Sequence, residues 1–158
     1  MTYDNIVTGT FLKRPNRFIA YVEVKGYVKT CHVKNTGRCQ ELLVPGCTVV
    51  LEFHPKAKEM KRKTEYDLIA VYKGNLLINM DSQAPNQAAL EWIREKEAKG
   101  LSLENVGIPT NIRREVTHGE SRFDLAFELK DEVTGKTVPA FMEVKGVTLE
   151  KEGNVFFP

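Results

Sequence analysis

Apolar and polar positions alternate with a period of two along most of the first half of the chain, the pattern of half-buried strands. "DNIVTGTFL" at residues 4–12 predicts a first strand and "FIAYVEVKG" at 18–26 a second. "YVKTCHVK" at 27–34, "CTVVLEFH" at 47–54 and "TEYDLIAVYKG" at 64–74 predict three more. "KRPNR" between the first two is turn chemistry, centred near Pro15. "NTGRCQELLVPG" at 35–46 predicts a turn, a short helical piece and a Pro-Gly stop. Five short strands with a small helix between the third and fourth match an OB-fold barrel. This assigns residues 1–80 to an OB-like domain.

The period then changes. "NLLINMDSQAPNQ" reads as a linker, and "QAALEWIREKEAKG" as a helix with Asn86 as its cap and Gly100 as its stop. Ala89, Trp92 and Ile93 share its apolar face, while Glu91, Arg94, Glu95 and Lys96 supply polar surface. "LSLENVGIPTN" is loop-like, and "IRREVTH" and "SRFDLAFEL" are strands. A turn at Thr134-Gly135 leads into a returning strand, "TVPAFMEVKGVTLE". One helix for one sheet makes residues 81–158 an incomplete α/β domain. The whole is a mixed α+β protein. Ending on "NVFFP", with Phe156, Phe157 and Pro158 apolar, reads as a fragment lacking further elements.

Composition adds limits. The 158 residues are 42% hydrophobic and 28% charged, as in soluble globular proteins. No apolar run is long enough to span a bilayer, and "MTYDNIVTG" lacks the basic start and apolar core of a secretory signal. No membrane partner is expected, and the cytoplasm is the default location. Cys31, Cys39 and Cys47 are odd in number and lack a CxxC pair, which points to reduced thiols rather than disulfides or zinc.

The net charge of +2 does not by itself mark a nucleic-acid binder. Its distribution does. Lys13, Arg14 and Arg17 lie in the loop between strands one and two. Lys56, Lys58, Lys61, Arg62 and Lys63 lie between strands four and five. Those are the two loops through which OB barrels bind oligonucleotides, so both clusters are candidate nucleic-acid contacts.

The tetrapeptide "EVKG" occurs twice, at residues 23–26 and 143–146. A hairpin about Pro15 sets Glu23 opposite Val7, with no second acid beside it, so the first copy reads as a barrel strand face. A hairpin about Thr134-Gly135 sets Asp124 beside Glu143 to Lys145. Phe123, Leu125, Phe127 and Leu129, with Ala140, Met142 and Val144, then form the apolar face, and Asp124, Glu143 and Lys145 share the other. Two carboxylates on adjacent strands suit Mg²⁺ (or Mn²⁺), which prefers oxygen ligands and acidifies its bound water. Lys145 would orient that water or stabilise the phosphorane. Asp124, Glu143 and Lys145 are therefore candidate catalytic residues of the Asp…Glu-x-Lys type. No Gly-rich phosphate loop or Ser-His-Asp grouping is visible, and His32, His54 and His118 are scattered.

"NTGRCQELLVPGCTVVLE", "APNQAALEWI", "GESRFDLAFEL" and "FMEVKGVTLEKEGNVFFP" resemble the sugar fermentation stimulation protein family, in order along essentially the whole chain. The resemblance implies a DNA-binding protein in which an OB-fold precedes a PD-(D/E)XK nuclease-like domain, with a link to regulation of sugar (maltose) metabolism. It implies Asp124 and Glu143 as metal ligands, Lys145 as the site lysine and Glu91 as a helix ligand. It also implies phosphate contacts at Arg122 and, from "NTGR", at Arg38. Family members continue past "FFP" with an acidic-proline stretch and further helices. Two other readings stand beside the nuclease: a non-catalytic DNA-binding regulator on a nuclease scaffold, and a partner-binding module with solvated basic loops. The sequence leaves oligomeric state open.

Overall fold

The computed structural model describes residues 1–103 and 106–155, so the terminal Phe156, Phe157 and Pro158 lie outside the described residues. The chain divides into two compact units. One holds residues 2–83 together with the segment from Val147 onward, and the other holds Ala84–Gly146 with Met1.

The first unit is an OB-like barrel. Strands β1 (Ile6–Asn16), β2 (Ile19–Val24), β3 (Tyr27–Val33), β4 (Thr48–Phe53), β5 (Tyr66–Lys73) and β6 (Leu76–Asn79) lie in the order β3-β2-β1-β4-β5-β6. Parallel pairing of β3 with β5 closes β1 to β5 into a five-stranded barrel. Inward positions follow the alternation: Phe11, Val22, Cys31, Val49, Leu51 and Leu68 are all at most 2% exposed. All three cysteines are free, and burial pushes the Cys31 thiol up to about 12.

Several expected boundaries shift. The first hairpin turns at Arg17-Phe18, where the Asn16 side chain accepts from both the Phe18 and Ile19 amides. The bend is therefore an Asn-driven turn, and Pro15 remains inside β1. Glu23 consequently pairs with Thr10 rather than Val7. The first "EVKG" is not a continuous strand. Lys25 (φ 51°) and Gly26 (φ 80°) form a two-residue hairpin loop between β2 and β3, the conformation such tight turns demand. The short helix expected in 35–46 is a set of turns, in which Leu42 and Leu43 amides donate to the Cys39 carbonyl. The expected linker contains β6, which pairs with β5 and buries Ile78, while Met80 just beyond it is also in the core.

In the second unit, helix α1 (Ala84–Lys99) accompanies a three-stranded antiparallel sheet, β7 (Ile108–His118), β8 (Ser121–Lys130) and β9 (Thr137–Met142). The helix starts before Asn86, so Asn86 is an interior residue and not the cap. Asp81 Oδ1 instead accepts from the Gln83 amide in the turn leading in, and Pro85 falls in the first helical turn, where its missing N–H costs nothing. Leu90 and Ile93 pack with Leu103, Leu125 and Phe127. Trp92, expected inside, is 44% exposed, and Leu90, two residues back along the helix, takes the core position. The apolar sheet face holds Leu125, Phe127, Leu129, Ala140 and Met142 as expected, whereas the Phe123 ring stacks on Phe141. Strand β9 stops at Met142, and the chain beyond does not continue as one strand. A small hairpin, β10 (Glu150–Lys151) and β11 (Asn154–Val155), belongs to the barrel unit, where Glu150 pairs with Lys73 at 2.7 Å. Among the described residues, no helix is long and apolar enough to cross a membrane.

The helix phase makes a prediction. Ile93→Ala should cost about 2–5 kcal/mol of stability by leaving a cavity. Trp92→Ala should cost roughly 1 kcal/mol or less, as surface changes do. Urea unfolding of the two variants checks the order, and a Trp92 variant weaker than the Ile93 variant would refute it.

Candidate metal and nucleic-acid sites

The second "EVKG" begins where the β8–β9 ladder ends. The last pair is Leu125 with Met142, so Asp124 reaches past the final rung. Its Oδ2 accepts the Val144 amide at 2.8 Å, and its Oδ1 accepts Asn86 Nδ2 at 2.7 Å. One half-buried carboxylate thus ties the helix and the post-strand segment to β8. Each oxygen keeps a lone pair free for another partner. Glu143 and Lys145 flank Val144, both exposed, and are ion-paired with each other. Gly146 follows for a steric reason: a Cβ there would meet Pro85 Cγ at 3.0 Å. The glycine lets the segment pass close to the first turn of α1.

The structure places Glu91 away from this arrangement. Asn86, Leu90 and Ile93 lie at helical spacing on one side of α1, and Glu91 falls off that side. Glu91 is held instead by Gln87 Nε2 at 2.7 Å and by the Met1 amino group. Those hydrogen bonds, Gln87's first, keep its carboxyl below the ordinary value. The helix therefore presents Asn86, not a glutamate, to Asp124. That substitution is invisible in the sequence without the helix phase, since Asn before a helix reads as a cap. Among the described residues, Asp124, Glu143 and Glu91 do not bring three ligand atoms within 4.8 Å of one another. Arg122, two residues from Asp124 on the same strand, is exposed and paired with Glu115 at 2.7 Å.

The barrel's basic residues divide into two kinds. Arg14 is a strut. Its Nη1 donates to the carbonyls of Gly37 (2.7 Å) and Arg38 (2.8 Å), and its Nη2 to those of Arg17 (2.5 Å) and Asn35 (2.6 Å). One guanidinium fork so pins the β1–β2 turn to the 35–38 segment. Arg62 is likewise occupied: its Nη2 donates to Asp67 Oδ1 at 2.6 Å, and Asp67 is only 4% exposed. Both guanidinium groups thus already have protein partners, and both also line clefts beside other basic side chains, Arg14 with Lys13 and Arg17, Arg62 with Lys58 and Lys63. Arg17 and Arg38 are exposed, as is Lys13, and all three line a cleft of about 630 Å³ with Asn16, Thr36 and Gln40. Lys13 Nζ stands 5.5 Å above the Tyr21 ring, and Arg17 lies against the half-exposed Phe18. The "NTGR" arginine and the first basic loop, far apart in sequence, thus meet in one place. Lys58 and Lys63 line a second, smaller cleft of about 330 Å³ with Lys29. Lys56 and Lys61 are exposed on the same loop.

Comparison with known proteins agrees with this architecture. A family model described as the SfsA N-terminal OB domain matches residues 12–80, and one described as the sugar fermentation stimulation protein RE domain matches residues 83–158. The chain belongs to the sugar fermentation stimulation protein family. It is 54% identical over 159 residues to a sugar fermentation stimulation protein homolog of Alkaliphilus oremlandii, covering all of this chain and 63% of that protein. A homolog from Desulfitobacterium hafniense is 50% identical, over all of this chain and 62% of its own length. The chain therefore spans about three-fifths of these relatives. Among solved structures, Pyrococcus furiosus SfsA in complex with Ca2+ superimposes with a TM-score of 0.75 at 25% identity, over 100% of this chain and 62% of that one.

The division among arginines is testable. Arg14→Ala should lower stability by about 1–3 kcal/mol, the scale of losing charge-assisted hydrogen bonds. Arg17→Ala should change it by no more than roughly 0.5 kcal/mol. Equal effects in urea unfolding would show that Arg14 is not a strut.

Proposed function

We propose that this chain binds DNA through the exposed lysines and arginines of its barrel and holds a divalent cation at Asp124 and Glu143, in a nuclease-like site that includes Lys145. The observation that carries it is Asp124, fixed by two hydrogen bonds at the end of the β8–β9 ladder with Glu143 and Lys145 immediately beyond. Two carboxylates form a hard, all-oxygen donor set suited to Mg²⁺ or Mn²⁺ retaining several waters. The Ca2+ complex of the Pyrococcus furiosus relative supports a cation role in the family. When bound, such a cation supplies a more acidic water and neutralises charge on a phosphodiester. Asn86 and the Val144 amide orient Asp124. Lys145 would exchange its ion pair with Glu143 for contact with the attacking water or a phosphate oxygen.

Lys13, Arg17, Arg38, Lys58, Lys61 and Lys63 would track the phosphate backbone, and Phe18 offers a face on which a base can stack. A second reading is a non-catalytic DNA-binding regulator of sugar (maltose) metabolism that keeps the nuclease fold as scaffold. The placement of Asn86 where a helix carboxylate would complete a metal site favours it. Both readings place the protein in the cytoplasm, with its DNA.

Two measurements test these readings. Charge reversal at Lys58, Lys61 and Lys63 should weaken DNA binding and reduce the slope of log K against log salt by about 0.7–0.9 for each phosphate no longer neutralised. An unchanged slope would remove the basic loop from the interface. Incubation with single- and double-stranded DNA in Mg²⁺ or Mn²⁺ should give cleavage by the parent and none by Glu143→Ala or Lys145→Ala. Intact DNA, with equal binding by all three proteins, would refute the nuclease and leave the scaffold reading.

A further inference from the structure

The barrel carries a second group of metal-ligating side chains, far in sequence from Asp124. Strand pairing builds it. His32 on β3 and Glu52 on β4 are both direct cross-strand neighbours of Asp67 on β5. His54 follows β4 and turns back to the same place. His54 Nε2 lies 3.0 Å from Asp67 Oδ2 and 3.8 Å from Glu52 Oε2. One ligand atom from each of Glu52, His54 and Asp67 lies within 4.8 Å of the others.

From these residues we propose a zinc-class divalent metal site at Glu52, His54 and Asp67, anchoring the basic β4–β5 loop. Bonds of about 2.0–2.2 Å put two ligands of a tetrahedral zinc ion roughly 3.3–3.6 Å apart. The two separations from His54, 3.0 and 3.8 Å, bracket that range, and the Glu52 and Asp67 ligand atoms lie within 4.8 Å, so side-chain shifts would bring the three to a common ion. The donors are one imidazole nitrogen and two carboxylates, which suits Zn²⁺ better than the all-oxygen preference of Mg²⁺. The fourth position would hold water.

The two oxygens of Asp67 have separate surroundings. Oδ2 faces His54, while Oδ1 is held by Arg62 Nη2 at 2.6 Å and lies 3.5 Å from His32 Nδ1. A carboxylate fixed through one oxygen and offered through the other is how outer partners orient a metal ligand. Two carboxylates against one guanidinium carry a net negative charge that a divalent cation would reverse. Asp67 is 5% exposed at its side chain, Glu52 16% and His54 22%, so the site would be shielded yet reachable. His54 opens the 54–65 loop, Arg62 lies within it and Asp67 follows it. Bound metal would therefore tie down both ends of the segment that carries Lys56, Lys58, Lys61 and Lys63.

Calorimetric titration of the untagged protein with Zn²⁺ tests the site, alongside the visible spectrum of the Co²⁺-substituted form. With excess Mg²⁺ present to fill the Asp124–Glu143 site, we expect one Zn²⁺ per chain, lost in His54→Gln and in Glu52→Gln. Binding should persist in Asp124→Ala and in a variant with all three cysteines changed to serine. His32→Gln should weaken it by about 10–100-fold, as removal of an outer partner does. The Co²⁺ spectrum should show a four-coordinate ion without thiolate charge transfer. No saturable binding, binding retained by both His54→Gln and Glu52→Gln, or binding abolished by Asp124→Ala or by the cysteine changes would each overturn the proposal. His54 and Glu52 are half-buried, and circular dichroism of those variants separates loss of ligand from loss of fold.

Discussion

The barrel depends on one short parallel pairing. Cys31, His32 and Val33 of β3 lie beside Tyr66, Asp67 and Leu68 of β5. Without those three pairs, β3 and β5 would each present unpaired N–H and C=O groups, the liability of any open sheet edge. Closing the ring has a second effect. It leaves the 34–47 segment to connect β3 to β4, and Arg14 catches its carbonyls. It also brings His32 alongside Asp67, and so brings three strands' worth of titratable side chains into one row.

The strands were legible because half-buried strands must alternate, and Val, Ile, Phe and Tyr mark them even without the turns. The turns were harder to place. "EVKG" at residues 23–26 reads as strand because nothing local announces that Lys25 will adopt a positive φ. Only pairing between Val24 and Tyr27, which leaves two residues to reverse the chain, requires it. The same four letters at 143–146 run past the end of a strand beside a helix. Identical tetrapeptides thus follow the pairing partners around them and not their own propensity.

The site was legible as a set of residue types and less so as geometry. Asp124 falls beside Glu143 and Val144 because a hairpin's register follows from its turn, and that register could be estimated. Glu91 could not be placed without the helix phase, which Leu90 settles by taking the buried position that Trp92 was expected to fill. The basic loops pose the same difficulty in another form. Arg62 looks like one more surface cation among lysines until a buried acid is found beneath it, and Asp67 is far enough inside that its neighbours come only from the closed ring. Lysine and arginine are not equivalent here: in this barrel arginines serve as struts at two positions, while Lys13, Lys56, Lys58, Lys61 and Lys63 of the two basic loops face outward.

Asn86 has a consequence of its own. A glutamate in its place would bring a second negative charge against Asp124, and its grip would change with acidity and with any cation nearby. An amide has no proton to shed at ordinary pH and no formal charge to be neutralised. It donates to Asp124 Oδ1 in the same way whether the water outside is mildly acidic, alkaline or rich in salt. The alignment of that carboxylate is thereby uncoupled from the ionisation of its helical partner, as suits an acid that must be aimed before anything arrives to be held.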